Sequence, residues 1–308
     1  MQTPRLKIGT RGSRLALAQA EETRRRLCEA HGFDPSEIEI VAITTTGDRI
    51  RDRPLNEIGG KGLFTKEIEE ALQSGAVDLA VHSMKDMPAR LPAHLVIEAL
   101  LPREDARDAL ISPNCASISD LAPSCVVGSA SVRRAAQLKR LRPDISVVNL
   151  RGNVETRLAK LDRGEVSATF LACARLIRLG LAHRITAPVP EDEMLPAVAQ
   201  GAIGIEIRDN DKRMRDLLRA VNHGPTEIAV ACERAFLATL DGSCRTPIAG
   251  HAIIDGAQLK FRGEALTLDG RMTFTAERSG ALSDAQRLGR DAGEEVKAKG
   301  GKNLLDLE

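Results

Sequence analysis

Tryptophan and tyrosine are absent from this 308-residue chain, and six phenylalanines leave the aromatic share at 2%. With so few rings, stacking of nucleic-acid bases or an aromatic cage around a cation cannot be central to its work. An excess of one charge is missing too. Lys plus Arg number 44 against 43 Asp plus Glu, a formal net charge of +1. That excludes a globally basic nucleic-acid binder and leaves any anion site to local clustering. No apolar run approaches the ~18 residues a membrane helix needs, and Met1 to Gly9 passes into a strand pattern with no signal-peptide core. The expected compartment is the cytoplasm, with no membrane partner. The six cysteines include no C-x-x-C pair and no zinc-like spacing, so free thiols and no metal site are expected. There is no internal repeat and no low-complexity tract.

What is present is a balanced globular composition, 43% hydrophobic and 28% charged, in a chain long enough for two or three domains. The most informative stretch is Val77-Asp78-Leu79-Ala80-Val81-His82-Ser83-Met84-Lys85-Asp86-Met87-Pro88. A short apolar run of this kind is a strand buried on both faces of a parallel sheet, and ligands of open α/β sheets bind beyond the carboxyl ends of such strands. His82, Ser83, Lys85 and Asp86 fall at that end, and Pro88 stops the segment, so the loop is short and constrained. Taken alone, these residues also suit an ordinary Lys-Asp pair at a strand end.

In chain order, Leu6 to Thr10 reads as a strand, and Ser13 can cap a helix with Leu17, Ala20, Leu27 and Cys28 on one face. Arg11, between that strand end and the helix start, suits a carboxylate or phosphate clamp. A second strand, Glu37 to Ile43, precedes charged loop residues up to Pro54. Gly59-Gly60-Lys61-Gly62-Leu63-Phe64 then leads into a helix with Phe64, Ile68, Ala71 and Leu72 at helical spacing. It fails the Walker pattern, with Leu55 where the first Gly belongs and Gly62 where Ser or Thr belongs. A Gly-rich lid carrying one cation, Lys61, is the better reading.

Leu95 to Leu101 is a strand, and Pro102 to Asp108 reads as an interdomain crossing. A new α/β unit follows, with strands Ser124 to Gly128, Ile145 to Leu150 and Ala168 to Cys173. Ser129-Ala130-Ser131 opens a helix that bears Arg133 and Arg134 in its first turn. Arg151 follows the second strand, with Arg157 on the helix after it, and Arg175 and Arg178 follow the third. Cations at helix N-termini oppose the macrodipole unless an anion is bound there. The expected ligand is therefore bulky and polyanionic.

Met194 to Gly201 reads as a second crossing before a strand from Ala202 to Ile207, which makes the first domain discontinuous. Asn222-His223-Gly224-Pro225 is a third break. A helix from Thr226 to Leu240, β runs near 247–255, 258–268 and 271–278, and a closing helix near 283–299 form a small α+β domain. Asp269-Gly270 joins the last two runs. Cys244 lies on this domain's first long loop, where Arg245 would favour a nucleophilic thiolate; an incidental loop thiol is the other reading.

Five motifs in order, His82 to Pro88, Gly59 to Phe64, Gly128 to Arg134, Leu150 to Arg157 and Asp241 to Cys244, together resemble the porphobilinogen deaminase family, also called hydroxymethylbilane synthase. The resemblance spans Ile8 to about Ala252. It implies an α/β fold: two hinged doubly wound domains of the periplasmic-binding-protein type plus a small C-terminal α+β domain. The implied divisions are 1–101 with 200–220, 102–199 and 221–308. It further implies a dipyrromethane cofactor held by Cys244 through a thioether, Asp86 as the catalytic carboxylate, and a monomer. Ser83, Lys85, Ser131, Arg133 and Arg134 would bind the cofactor. Arg11, Arg151, Arg157, Arg178, Lys61 and Phe64 would meet the substrate porphobilinogen.

The implied reaction condenses four porphobilinogens, each losing ammonia to give a cationic azafulvene, and an ionised Asp86 beside the pyrrole N–H groups would stabilise that charge. Glu57, where some members have Lys, and Ala130, Val132 and Ser243 depart mildly from the family pattern. The alternative from another class is a non-catalytic two-lobed carboxylate-binding protein.

Overall fold

The computed structural model describes residues 5–49, 64–242 and 246–301. The described residues divide into two compact units, one within Met1–Arg103 and Ala202–Glu227, the other within Glu104–Gly201 and Ile228–Glu308.

The first unit begins with β1 (Leu6–Arg11), α1 (Arg14–His31), β2 (Ile38–Ile43), the single turn α2 (Thr46–Arg49), α3 (Lys66–Gln73), β3 (Leu79–Ser83) and β4 (Leu95–Leu100). The Ser13 side chain accepts from Ala16 N and fixes the start of α1, while Gly32 ends it with a left-handed φ of 68°. The buried face of α1 is centred on Ala16, Ala20, Thr23 and Leu27. Of the apolar face read from the sequence, Leu17 and Cys28 are only half-buried.

The second unit contributes β5 (Asp108–Ile111), β6 (Val126–Gly128), α4 (Val132–Leu141), β7 (Ser146–Val148), α5 (Val154–Asp162), β8 (Ala168–Ala172), α6 (Cys173–Arg178) and β9 (Ala187–Pro188). The chain then returns to the first unit as β10 (Ile203–Arg208) and α7 (Lys212–Leu218). It closes with α8 (Gly224–Thr239), β11 (Ile248–Asp255), β12 (Gln258–Leu266), β13 (Thr273–Ala281) and α9 (Ala285–Gly300).

The two five-stranded sheets have the same plan. In the first, the order is β2-β1-β3-β10-β4, and in the second β7-β6-β8-β5-β9. In each, three strands run parallel and the fourth in order is antiparallel to both its neighbours. That fourth strand comes directly after a crossing in both cases. The first sheet is covered on both faces: Leu79 and Val81 pack with Ala20 and Leu27, whereas Ala80 packs with Ile68 and Leu72. The second alternates likewise, Ala109 and Leu171 toward one cluster and Leu110 and Phe170 toward the other. This accounts for the unbroken apolar runs in the sequence.

One element departs from the sequence reading. Asp108 to Ile111 is a central strand of the second sheet, where the sequence suggested the end of a crossing and a unit starting at Ser124. Four residues buried on both faces give no alternation, and the leading Asp hides the strand.

The three-stranded antiparallel sheet β11-β12-β13 carries α9 against β12 and β13. The fully buried Glu233 of α8 accepts from Ala199 N at 2.6 Å and from Ala252 N at 2.9 Å. Arg140 of α4 meets the buried Glu264 of β12 at 2.9 Å. These bonds join the small sheet to the rest of the second unit.

Candidate functional site

In the first unit the carboxyl ends of β1 and β3 lie side by side, since the two strands pair in parallel. Arg11 ends β1, and its guanidinium is forked onto Asp48, with Nε 3.3 Å from one oxygen and Nη2 on the other. The same guanidinium stacks over Phe64 with its carbon 4.2 Å from the ring centroid. Burial acts to raise the Asp48 carboxyl, but the bonds from Arg11 and Thr45 outweigh it and hold it below the usual range. Thr45 donates its hydroxyl to Asp48 at 2.8 Å, and Thr46 N donates to Glu67 at 2.8 Å, which ties the end of β2 to α3.

Ser83 ends β3, and its hydroxyl lies 2.9 and 3.0 Å from the two amide atoms of the buried Gln19 on α1. Met84–Asp86 then form one 3-10 turn, closed by Met87 N to Met84 O at 3.2 Å. Met84 N also donates to Ala202 O at 3.0 Å. The Met84 sulfur occupies the space a Cβ at Gly204 would need. Lys85 is half-buried and Asp86 exposed at the tip of this anchored turn.

In the second unit Ser131 caps α4, and the arginines that follow turn inward. Arg133 donates to Asp108 at 2.6 Å and to Leu195 O at 2.6 Å; Arg134 donates to Asp108 at 2.7 and 3.0 Å and to Phe170 O at 2.9 Å. All three charged groups are buried, and Gln200 adds a 2.9 Å bond to Asp108. The anion the sequence asked for at this helix start is thus first of all an internal carboxylate. One carboxylate between two guanidiniums still leaves one positive charge in a buried place.

Arg151 follows β7. Gly152 takes a φ of 121°, and a Cβ there would lie 2.7 Å from Thr156, so the turn needs glycine. Asn153 caps α5 through Thr156 N at 2.8 Å. Arg157 Nε donates to Gly152 O at 2.9 Å, and Arg178 to Gly201 O at 3.0 Å. The Arg157 guanidinium is held down to about 10, by burial first and then by the charges of Arg175, Arg134 and Arg151.

The structure thus brings Arg134, Arg151, Arg157 and Arg175 together, places Arg11 and Ser83 at adjacent strand ends, and sets Phe64, in the turn before α3, against Arg11. Cys244 and Lys61 lie outside the described residues, as does the Gly59–Leu63 part of the lid motif. Sequence reasoning passed over Asp48, Asp108, Gln19 and Glu206. Asp48 had one signal, an acidic residue just past a strand next to the one carrying Arg11.

The described residues thus hold two α/β sheets of like plan, each with guanidiniums near the ends of its strands, and a small antiparallel sheet within the second unit. Residues 6–216 match the family model described as porphobilinogen deaminase, dipyrromethane cofactor binding domain, and residues 227–298 match the porphobilinogen deaminase C-terminal domain. The porphobilinogen deaminase of Paracoccus denitrificans is 54% identical over 98% of this chain and 96% of its own length. That of Nitrobacter hamburgensis is 54% identical over 97% and 95%.

Among solved structures, the methionine binding protein MetQ aligns with 70% of this chain and 89% of its own at 14% identity and a TM-score of 0.44. The second substrate binding domain of an amino acid ABC transporter from Streptococcus pneumoniae aligns with 70% of this chain and 91% of its own at 15% identity and a TM-score of 0.47. Likeness at that level says nothing of what this chain binds.

The chain belongs to the porphobilinogen deaminase family. It is a transferase that condenses four porphobilinogen molecules head to tail on a dipyrromethane primer, with loss of ammonia, and releases linear hydroxymethylbilane for tetrapyrrole synthesis. This sets aside the non-catalytic carboxylate-binding reading. The donor set suits the cofactor: a buried, undercompensated guanidinium group and a cluster of mutually repelling arginines both gain from a ligand bearing several carboxylates. No described helix is long and apolar enough to cross a membrane.

Proposed function

We propose that Asp86 is the catalytic carboxylate of this reaction and Cys244 the residue that carries the cofactor. The observation that supports the first role is the anchoring of the Met84–Asp86 turn, which leaves Asp86 as its exposed tip on a fixed backbone. An ionised carboxylate held beside pyrrole N–H groups stabilises the positive charge that develops as the aminomethyl nitrogen leaves as ammonia. Fixing it in advance avoids reorganisation during the reaction. When bound, the dipyrromethane supplies the free α-carbon on which chain growth begins. Lys85 and Ser83, on the same turn and strand end, hold carboxylates of cofactor or substrate. Ser131, Arg133 and Arg134 hold cofactor carboxylates, and Arg11, Arg151, Arg157, Arg178, Lys61 and Phe64 meet those of the substrate and growing chain.

The chain works as three domains, 1–101 with 200–220, 102–199 and 221–308, as a monomer in the cytoplasm. Intact mass is the test. The purified protein should exceed its sequence mass by one dipyrromethane, and Cys244→Ser should fold, lack that increment and form no hydroxymethylbilane. Normal loading in Cys244→Ser would move the attachment to another residue.

A further inference from the structure

Directly behind the proposed catalytic turn lies a set of buried ionisable groups that the mechanism above leaves unused. β10 runs antiparallel to β3 with Gly204 opposite His82 and Glu206 opposite Ala80. Side chains two apart on a strand share a face, so His82 and Glu206 are diagonal neighbours on one face of the sheet. His82 Nε2 lies 3.0 Å from Glu206 Oε2. The same face carries Ala80, which packs against Ile68 and Leu72 of α3, and α3 also presents the buried Glu69. Glu206 is wholly buried, His82 is 6% exposed and Glu69 8%. Oε1 of Glu206 and Oε1 of Glu69 are both buried without a hydrogen-bond partner.

Two ionised carboxylates and one imidazole would leave net negative charge in this apolar layer, which is strongly unfavourable. Burial lifts the Glu69 carboxyl above its usual range, the neighbouring Thr65 hydroxyl and His82 oppose the rise, and the Glu206 and Glu70 charges add to it. The His82–Glu206 bond holds the strand that feeds the turn. On the opposite face of β3, Ser83 is held by Gln19 of α1. The strand that feeds the turn is therefore gripped by polar contacts on both faces, at two successive residues.

We infer that the buried Glu206–His82 pair positions the Ser83–Asp86 turn for the deaminase reaction. Both are positioning residues that act through that turn. The inference rests on the proposed role of Asp86.

The test combines thermal melting with kinetics on the cofactor-loaded protein. Glu206→Gln removes the charge that His82 faces. It should lower kcat roughly tenfold at unchanged KM, measured well below its melting temperature so that unfolding does not contribute. Glu206→Asp should recover part of the loss. A Glu206→Gln variant that melts earlier but turns over normally would overturn the inference. Failure of Asp86 itself would show separately, as an Asp86→Asn variant with normal turnover.

Discussion

Asp108 and Arg134 are joined by two hydrogen bonds to a single carboxylate oxygen, at 2.7 and 3.0 Å, and both side chains are buried. The other oxygen takes Arg133 at 2.6 Å. Asp108→Asn keeps the shape but leaves two buried guanidiniums uncompensated. A loss of about 3–5 kcal/mol in folding stability is expected, read by urea denaturation of the cofactor-free protein. A loss under about 1 kcal/mol would mean that the pair is not held as described.

The same carboxylate sets an acid limit. Burial alone would raise it, but Arg133 and Arg134 outweigh burial and hold it far below the usual range. A carboxyl depressed in the fold contributes stability that is fully present above its unfolded value, near 4, and is lost as pH falls below that. Wild-type stability should therefore drop steeply below about pH 4 from this group, and Asp108→Asn should show a shallower slope there.

Arg157 offers the opposite case. Its folded value of about 10 lies below the ordinary 12.5, so the charged form is disfavoured in the fold. That penalty is present below pH 10 and is relieved as pH rises from there toward 12.5. Arg157→Leu should then stabilise the cofactor-free protein by ~1 kcal/mol, a figure discounted for its partial exposure, while impairing cofactor loading or elongation. Thermal melting beside product formation checks both halves. A variant less stable than wild type would assign Arg157 a structural role instead.

Arg11 is set by Asp48 and Phe64 together. Asp48→Asn weakens the fork and should raise KM several-fold, about 1 kcal/mol, with kcat little changed. Arg11→Lys should be worse than Asp48→Asn, because an ammonium keeps the charge but loses both the planar fork and the stacking on Phe64. Steady-state kinetics over a range of porphobilinogen concentrations separates the two. Equal, small effects would place Arg11 outside the site.

Asp86→Asn should retain fold and cofactor yet lose most turnover, on the order of 3 kcal/mol or a hundredfold in rate. Lys85→Gln should also raise the substrate requirement, since its charge holds a carboxylate in ground and transition state alike. Single-turnover addition of one porphobilinogen to loaded protein is the measurement. Near-normal rates for Asp86→Asn would remove it from the chemistry.

The sequence by itself determined the strands that are buried on both faces and the breaks between units, because apolar runs and Gly or Pro punctuation are local. It also determined the turn chemistry: Ser13, Ser131 and Asn153 cap the helices they precede. It singled out the residues at strand ends, because side-chain type there is readable one position at a time.

What those residues bond to was decided only by tertiary structure. Arg11 meets Asp48 across 37 residues, Arg133 meets Asp108 across 25, Ser83 meets Gln19 across 64 and His82 meets Glu206 across 124. No local periodicity encodes such pairs; they exist because parallel strands bring distant ends together and because β10 returns to lie beside β3. The junction arginines show the difference most clearly. Their need for an anion at a helix start was legible from the helix dipole, but which anion meets it first depended on a short buried strand, β5, whose four residues look like a loop until the sheet closes around them.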